Sequence, residues 1–339
     1  MKIMNRIYGY IVIASCILFV SCEQVLFEED EADDPEAVFG YMWRQCRDKY
    51  AFFEYKNIDW DEIYQQYRPL VHSGISDDSL FNVMGAMLNE LRDAHVNLVS
   101  PFNVSHYRIS LTGPENVNFR IISENYLGSD FMSTGPFAHN FIHGDQIGYI
   151  LYSSFANVVS DYQLDYIFTR YANTKGLIID LRYNGGGNPQ NIYKIVNRLT
   201  SARTFLFNSY LKNGPGPDDF TKPQAAYAVP SDKPGFRGNV VVLTNRGTYS
   251  AASFFVLSAR ALPNVTIMGD TTGGGLGLPN GGQLPNGWTY RFSTSKTLDP
   301  DGNNFENGIP PDVLSLLTKT DEDQGIDTVI EDAAELLLQ

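Results

Sequence analysis

The chain has 339 residues, 43% of them hydrophobic, and a formal net charge of −14. That length holds more than one minimal domain, and that apolar fraction builds a sizeable core, which excludes global disorder. The acidic balance comes without any cluster of Lys and Arg, so nucleic acid is not an expected partner, and the 20 Tyr and 21 Phe suit a β-rich core.

A basic start with Lys2 and Arg6 leads into an apolar run from Ile7 to Val20 and then Ser21-Cys22. This pattern predicts a signal peptide over 1–21, too short to be a membrane span. The Ser21-Cys22 pair resembles a bacterial lipobox, so Cys22 is expected to become the lipid-modified first residue and to fix the chain to the cell envelope, in the periplasm or at the outer membrane. Residues 28–36 then carry seven carboxylates in nine positions. Such a run repels itself and reads as an extended tether over 22–35. Cys46 remains the one cysteine of the folded part, in an apolar helical pattern that predicts burial, and no intrachain disulfide is available to it.

From about 36 to 95 the apolar period is helical. Phe39, Trp43, Cys46 and Tyr50 share a face; Asp59 with Glu62 reads as a capping box; Leu80 to Leu91 form a third stripe. His95 follows one turn after Leu91, where that helix should end. Beyond residue 100 short β-branched segments (148–152, 177–181, 239–244, 265–268) alternate with helical stretches at 160–171, 189–199 and 250–261. That alternation predicts an α/β layer structure. Residues 288–292 read as one arm of a hairpin, and 213–236 as a long irregular loop at the rim of a site.

Three segments can carry chemistry. Residues 176–188 are a buried strand ending in Asp-Leu-Arg-Tyr-Asn-Gly-Gly-Gly directly before a helix. Glycines there expose backbone N–H groups, and the helix start adds partial positive charge, which suits a phosphate or an oxyanion. Residues 240–253 run from a strand through Thr-Tyr-Ser250 into a helix with small neighbours, which is how a nucleophile is presented, although a lone serine there is more often an N-cap. The third segment, Glu306 to Asp312, is a turn-rich loop that means little alone.

Together, with the Leu91-Arg-Asp-Ala-His-Val96 and Gly269-Asp-Thr-Thr-Gly-Gly274 segments, they resemble the tail-specific (C-terminal processing) serine peptidases, in the branch that includes the tricorn protease core. The resemblance implies a ClpP/crotonase-like β-β-α core, 99–339, behind an N-terminal three-helix domain, 36–98. The stretch between His95 and Gly148 is too short for a complete PDZ domain. It also implies that Ser250 is the nucleophile, with Ser253 as fallback, and that His95 is the base, assisted by Glu306. Gly275 stands where the lysine of the Ser/Lys relatives would be, and Ala94 where the tricorn core has a serine linking histidine to glutamate. The Glu306–His95 link is therefore direct, water-mediated or absent. The oxyanion would be held by backbone N–H groups of Gly186 or Gly187 and of Ala251. With an ordinary histidine, activity would rise through about pH 6–7. The implied substrate is a peptide or unfolded protein tail, with no cofactor or metal; His72, His106, His139 and His143 have no metal-ligand spacing. The alternative is a non-catalytic protein that binds a peptide or apolar ligand on the same fold.

Overall fold

Helix α1 (Pro35–Lys49) begins where the acidic run ends. Asp34 Oδ1 accepts the N–H groups of Glu36 and Ala37, both at 3.1 Å, and Pro35 has no N–H to satisfy. The last carboxylates of the run therefore cap and pair within the fold, Glu36 with Arg68, rather than extend the tether. The computed structural model describes residues 32–339; the expected signal peptide, Cys22 and most of the tether lie outside the described residues. Helix α2 (Trp60–Tyr67) starts at Asp59, whose Oδ1 accepts Glu62 N–H at 2.9 Å. Helix α3 (Asp77–Asn89) stops at Asn89, so that His95 sits in a turn before the first strand and not on the helix.

The strands are β1 (Asn97–Val99), β2 (Val104–His106), β3 (Met132–Thr134), β4 (Phe137–Ile142), β5 (Ile147–Tyr152), β6 (Gly176–Asp180) and β7 (Thr204–Leu211). They continue with β8 (Gln224–Ala228), β9 (Asn239–Thr244), β10 (Val265–Gly269), β11 (Pro279–Gln283), β12 (Thr289–Ser293), β13 (Ser295–Leu298) and β14 (Val313–Leu314). A seven-stranded sheet in the order β14-β10-β9-β6-β5-β4-β3 is parallel from β14 to β5 and antiparallel at its β4–β3 edge. Both its faces are covered, as runs of apolar residues in its central strands require. Leu177 and Ile179 face α4 (Asp161–Arg170), α5 (Gln190–Val196) and α6 (Ala251–Arg260). Ile178 and Leu243 face the helical segment 119–127 and the C-terminal α7 (Thr328–Leu338).

The N-terminal helices pack on a second sheet, β11-β12-β1-β2. Their core is completed by Trp288, Tyr290 and Phe292, so the expected boundary at residue 98 falls inside a unit that also uses the hairpin near the end of the chain. Residues 100–146 hold β2, helical turns, β3 and β4, and no PDZ domain is present among the described residues. The stretch 213–236 is not wholly irregular: β8 pairs with β7 in a third sheet, β13-β7-β8.

One buried ion network ties the glycine-rich turn to the chain end. The fully buried Arg182 guanidinium donates from Nη2 to Asp180 Oδ2 at 2.6 Å and from Nη1 to Asp327 at 3.0 Å. Asp327 in turn caps α7 by accepting Ile330 N–H. Removing one member leaves an uncompensated buried charge. Asp327→Ala is expected to lower unfolding free energy by about 3–5 kcal/mol in urea titrations.

Candidate active site

The strand β9 ends at Thr244, and a turn carries the chain to Ser250 at the entrance of α6. Ser250 has φ 56° and ψ −125°, a conformation that costs a non-glycine residue free energy. It is held there by its own N–H on Gly274 O at 3.0 Å and by Tyr249 N–H on Asn184 O at 2.9 Å. Its side chain caps nothing in α6; the hydroxyl instead lies 2.8 Å from His95 Nε2. Ser253, the fallback, is buried, and its hydroxyl donates to Thr248 O at 2.9 Å.

His95 arrives from the other sheet. Its backbone N–H donates to Asp93 Oδ1 at 2.8 Å, and its ring packs 4.9 Å from that of Tyr249. Burial pushes the imidazole down to about 4; the Asp93 charge opposes the shift, while Arg291 and Lys56 add to it. A rise of activity through about pH 6–7 therefore does not fit this site. Nδ1 is buried and has no hydrogen-bond partner within ordinary geometry among the described residues, although the Gly277 backbone acts on the ring and offsets a little of the shift.

The sequence did not point to Asp93. Its buried carboxylate also accepts the hydroxyls of Tyr50 (3.1 Å), Tyr249 (3.1 Å) and Ser293 (2.9 Å). Burial alone would raise its pKa; Lys56, His95 and the Ser293 hydroxyl outweigh that and hold it below the usual carboxylate range. Glu306 is also buried, but it makes no hydrogen bond to His95. Its Oε2 accepts Gly277 N–H at 2.9 Å. Burial and the neighbouring Asp93 charge push its carboxyl above the usual range, the opposite direction from Asp93, on which four donors converge.

The glycine-rich turn passes directly under Ser250. A side chain on Gly186, whose φ is +91°, would meet Ala251 N and Tyr249 O, each at 2.7 Å. Of the three expected oxyanion donors, the Gly186 N–H is already taken by Asn184 Oδ1 at 3.0 Å. The Gly187 and Ala251 N–H groups make no hydrogen bond among the described residues. Gly275 leaves its place to the Tyr249 ring, whose Cζ lies 2.3 Å from where a Cβ would be, so no side chain from that position reaches Ser250. The cavity over Ser250, about 520 Å³, is walled by these glycines, Phe254, Leu278, Pro279 and Arg291. The 213–236 segment does not rim it. Its Pro215, Pro217 and Phe220 line a separate cleft of about 850 Å³ against the N-terminal helices. Of the other histidines, His139 bonds Thr134 and Tyr171, and His143 lies by Glu331.

Residues 146–315 match peptidase family S41, and residues 32–89 match the tricorn protease C1 domain. The carboxy-terminal processing protease CtpA of Bacillus subtilis is 29% identical over 175 residues, which are 51% of this chain and 36% of that protease. A crystal structure of a peptidase candidate from Parabacteroides merdae shares 41% identity at a TM-score of 0.87, covering 91% of this chain and 98% of that one. Mature CPAF has the same fold at 12% identity, with a TM-score of 0.66 over 90% of this chain and 96% of its own.

Two outcomes follow from this geometry. In a carbon- or nitrogen-detected NMR titration the His95 ring stays neutral down to about 4; a midpoint at the ordinary 6.5 would mean that the ring is not desolvated. Glycine tolerates the Ser250 backbone where alanine does not, so Ser250→Gly should unfold at higher urea than Ser250→Ala, by about 1 kcal/mol.

Proposed function

Because the chain belongs to peptidase family S41, we propose that it hydrolyses peptide bonds through a Ser250 acyl-enzyme, with His95 as the base. The observation that carries this reading is the 2.8 Å contact between His95 Nε2 and Ser250 Oγ at a strained strand-to-helix turn. Neutral His95 takes the hydroxyl proton as Oγ attacks the scissile carbonyl. The oxygen that becomes negative accepts the free N–H groups of Gly187 and Ala251. The imidazolium forms opposite the ionised Asp93, then gives its proton to the leaving amine. Water repeats the sequence to release the acyl group. In this reading Glu306 is a neutral carboxyl that fixes the Gly277 turn beside His95, and Asp93 supplies the charge that the resemblance had assigned to Glu306. The substrate class is a peptide or unfolded protein tail.

Localisation belongs to the same proposal. The Ser21-Cys22 pair supports export and lipid attachment. No helix among the described residues is long and apolar enough to cross a membrane. In the native host, the full chain should partition with membranes and Cys22→Ser should release it; recovery of both in the same fraction counts against the anchor.

The peptidase reading is tested by fluorophosphonate labelling of the full chain, with circular dichroism to verify folding. Label is expected in wild type and lost in Ser250→Ala and His95→Ala; a folded wild type that never labels leaves the non-catalytic binder in place. Labelling that persists in His95→Ala means that another group is the base. Asp93→Asn should lower kcat by about a hundredfold or more, whereas Glu306→Gln stays within about tenfold; the reverse order returns the charge to Glu306. Protonation of His95 abolishes the base. Activity should therefore hold through mild acid and fall only as pH drops through about 4.

A further inference from the structure

Among the described residues, the wall of the cavity over Ser250 holds no carboxylate, and its one permanent charge is Arg291. That is notable in a chain with a net charge of −14, in which the buried arginines Arg182 and Arg198 are each paired with two aspartates. Arg291 forms no ion pair among the described residues. Its Nε donates to Asn97 Oδ1 at 2.8 Å, an anchor that orients the guanidinium and leaves both terminal nitrogens open. The sheet explains this placement. Arg291 on β12 lies between Asn97 on β1 and Gly281 on β11. Asn97 buttresses it from one side. On the other, a side chain at 281 would run into Tyr290 O and into Arg291 itself, so glycine leaves the arginine uncovered. A planar donor fork, fixed at its Nε and facing a carboxylate-free cavity, matches a carboxylate group.

We infer that Arg291 selects substrates that place a carboxylate next to the scissile bond, either an acidic side chain or the free C-terminus of the tail. This inference rests on the peptidase reading of the same cavity and deepens it. Arg291 touches the substrate away from the reacting atoms, so it contributes to binding and to the choice of cleavage position. In a chain of net charge −14, a cationic spot at this cavity offsets the repulsion that an acidic peptide meets.

The test uses one fluorogenic peptide core in three forms: neutral and amidated, with a single glutamate walked across the positions flanking the cleaved bond, and neutral with a free C-terminus. In wild type, one carboxylate form should exceed the neutral form in kcat/KM by about tenfold or more, mainly through KM. Preference for the glutamate peptides identifies a side chain, and preference for the free acid identifies the terminus. Arg291→Ala should bring the ratio towards one, Arg291→Lys should keep part of it, and Arg291→Glu should invert it. A wild-type ratio near one at every position, or a ratio that survives in Arg291→Ala, overturns the inference and leaves the peptidase reading standing. The same peptides are titrated against Ser250→Ala by fluorescence anisotropy. If wild type cleaves nothing but Ser250→Ala binds the carboxylate forms, and Arg291→Ala in that background abolishes the preference, the peptidase reading fails and the Arg291 inference holds. Absence of both cleavage and binding overturns it.

Discussion

The site depends on one buried carboxylate. Asp93 accepts hydrogen bonds from Tyr50 at the end of the first helix, from Tyr249 beside the nucleophile, from Ser293 on the hairpin and from the His95 backbone. These groups come from three distant stretches of the chain and from both bodies of the fold. An ionised carboxylate out of water is costly unless its acceptor sites are filled. The arrangement that fills these four also brings His95 Nε2 to 2.8 Å from Ser250 Oγ. The network that keeps Asp93 charged therefore doubles as the joint between the N-terminal helices and the parallel sheet.

On the far side of the contact the constraint is steric. The strain at Ser250 persists because Gly274, Asn184 and the glycine turn crowd its backbone from several directions, and the turn is fixed in place by Arg182 between Asp180 and Asp327. Gly186 can approach Ala251 and Tyr249 only because it has no side chain. Gly187 and Ala251, whose N–H groups have no partner among the described residues, both line the cavity. In the proposed mechanism, nucleophile geometry and oxyanion donors are thus two results of one packing solution.

How far the sequence could be read depended on the range of the interaction. The parallel strands and their helices were legible because β-branched runs and apolar stripes are local patterns, and Ser250 stood out at a strand-to-helix junction. His95 was legible only through motif order, since nothing around it in the chain reveals that it crosses to the other sheet. Asp93 was missed because its meaning lies in Tyr50, Tyr249 and Ser293, none of which is its neighbour in sequence. The depressed basicity of His95 was hidden for the same reason: burial is a property of the assembled fold. Other gaps had local signals. Asn184 turning back on Gly186 is an Asx turn of a kind that Asn-Gly sequences favour. Helix α7 had an apolar period in Val329, Ile330, Ala333, Ala334 and Leu337. Strand β8 had none: the Pro- and Gly-rich residues around it obscured a segment that pairs with a partner well upstream.

Bringing His95 and Ser250 together from separate parts of the fold has an electrostatic consequence. His95 and Arg291 share the β11-β12-β1-β2 unit, and the arginine charge is one of the influences that hold the imidazole low, after burial itself. Burial and that charge together hold the imidazole neutral. A carboxylate paired with Arg291 cancels that charge at short range, and an occupied cavity excludes the water that would screen it. The imidazolium then becomes easier to form when a matching substrate is bound. In the proposed reading Arg291 thereby links selection to chemistry: the group inferred to recognise the substrate is also the group whose neutralisation would strengthen the proposed base.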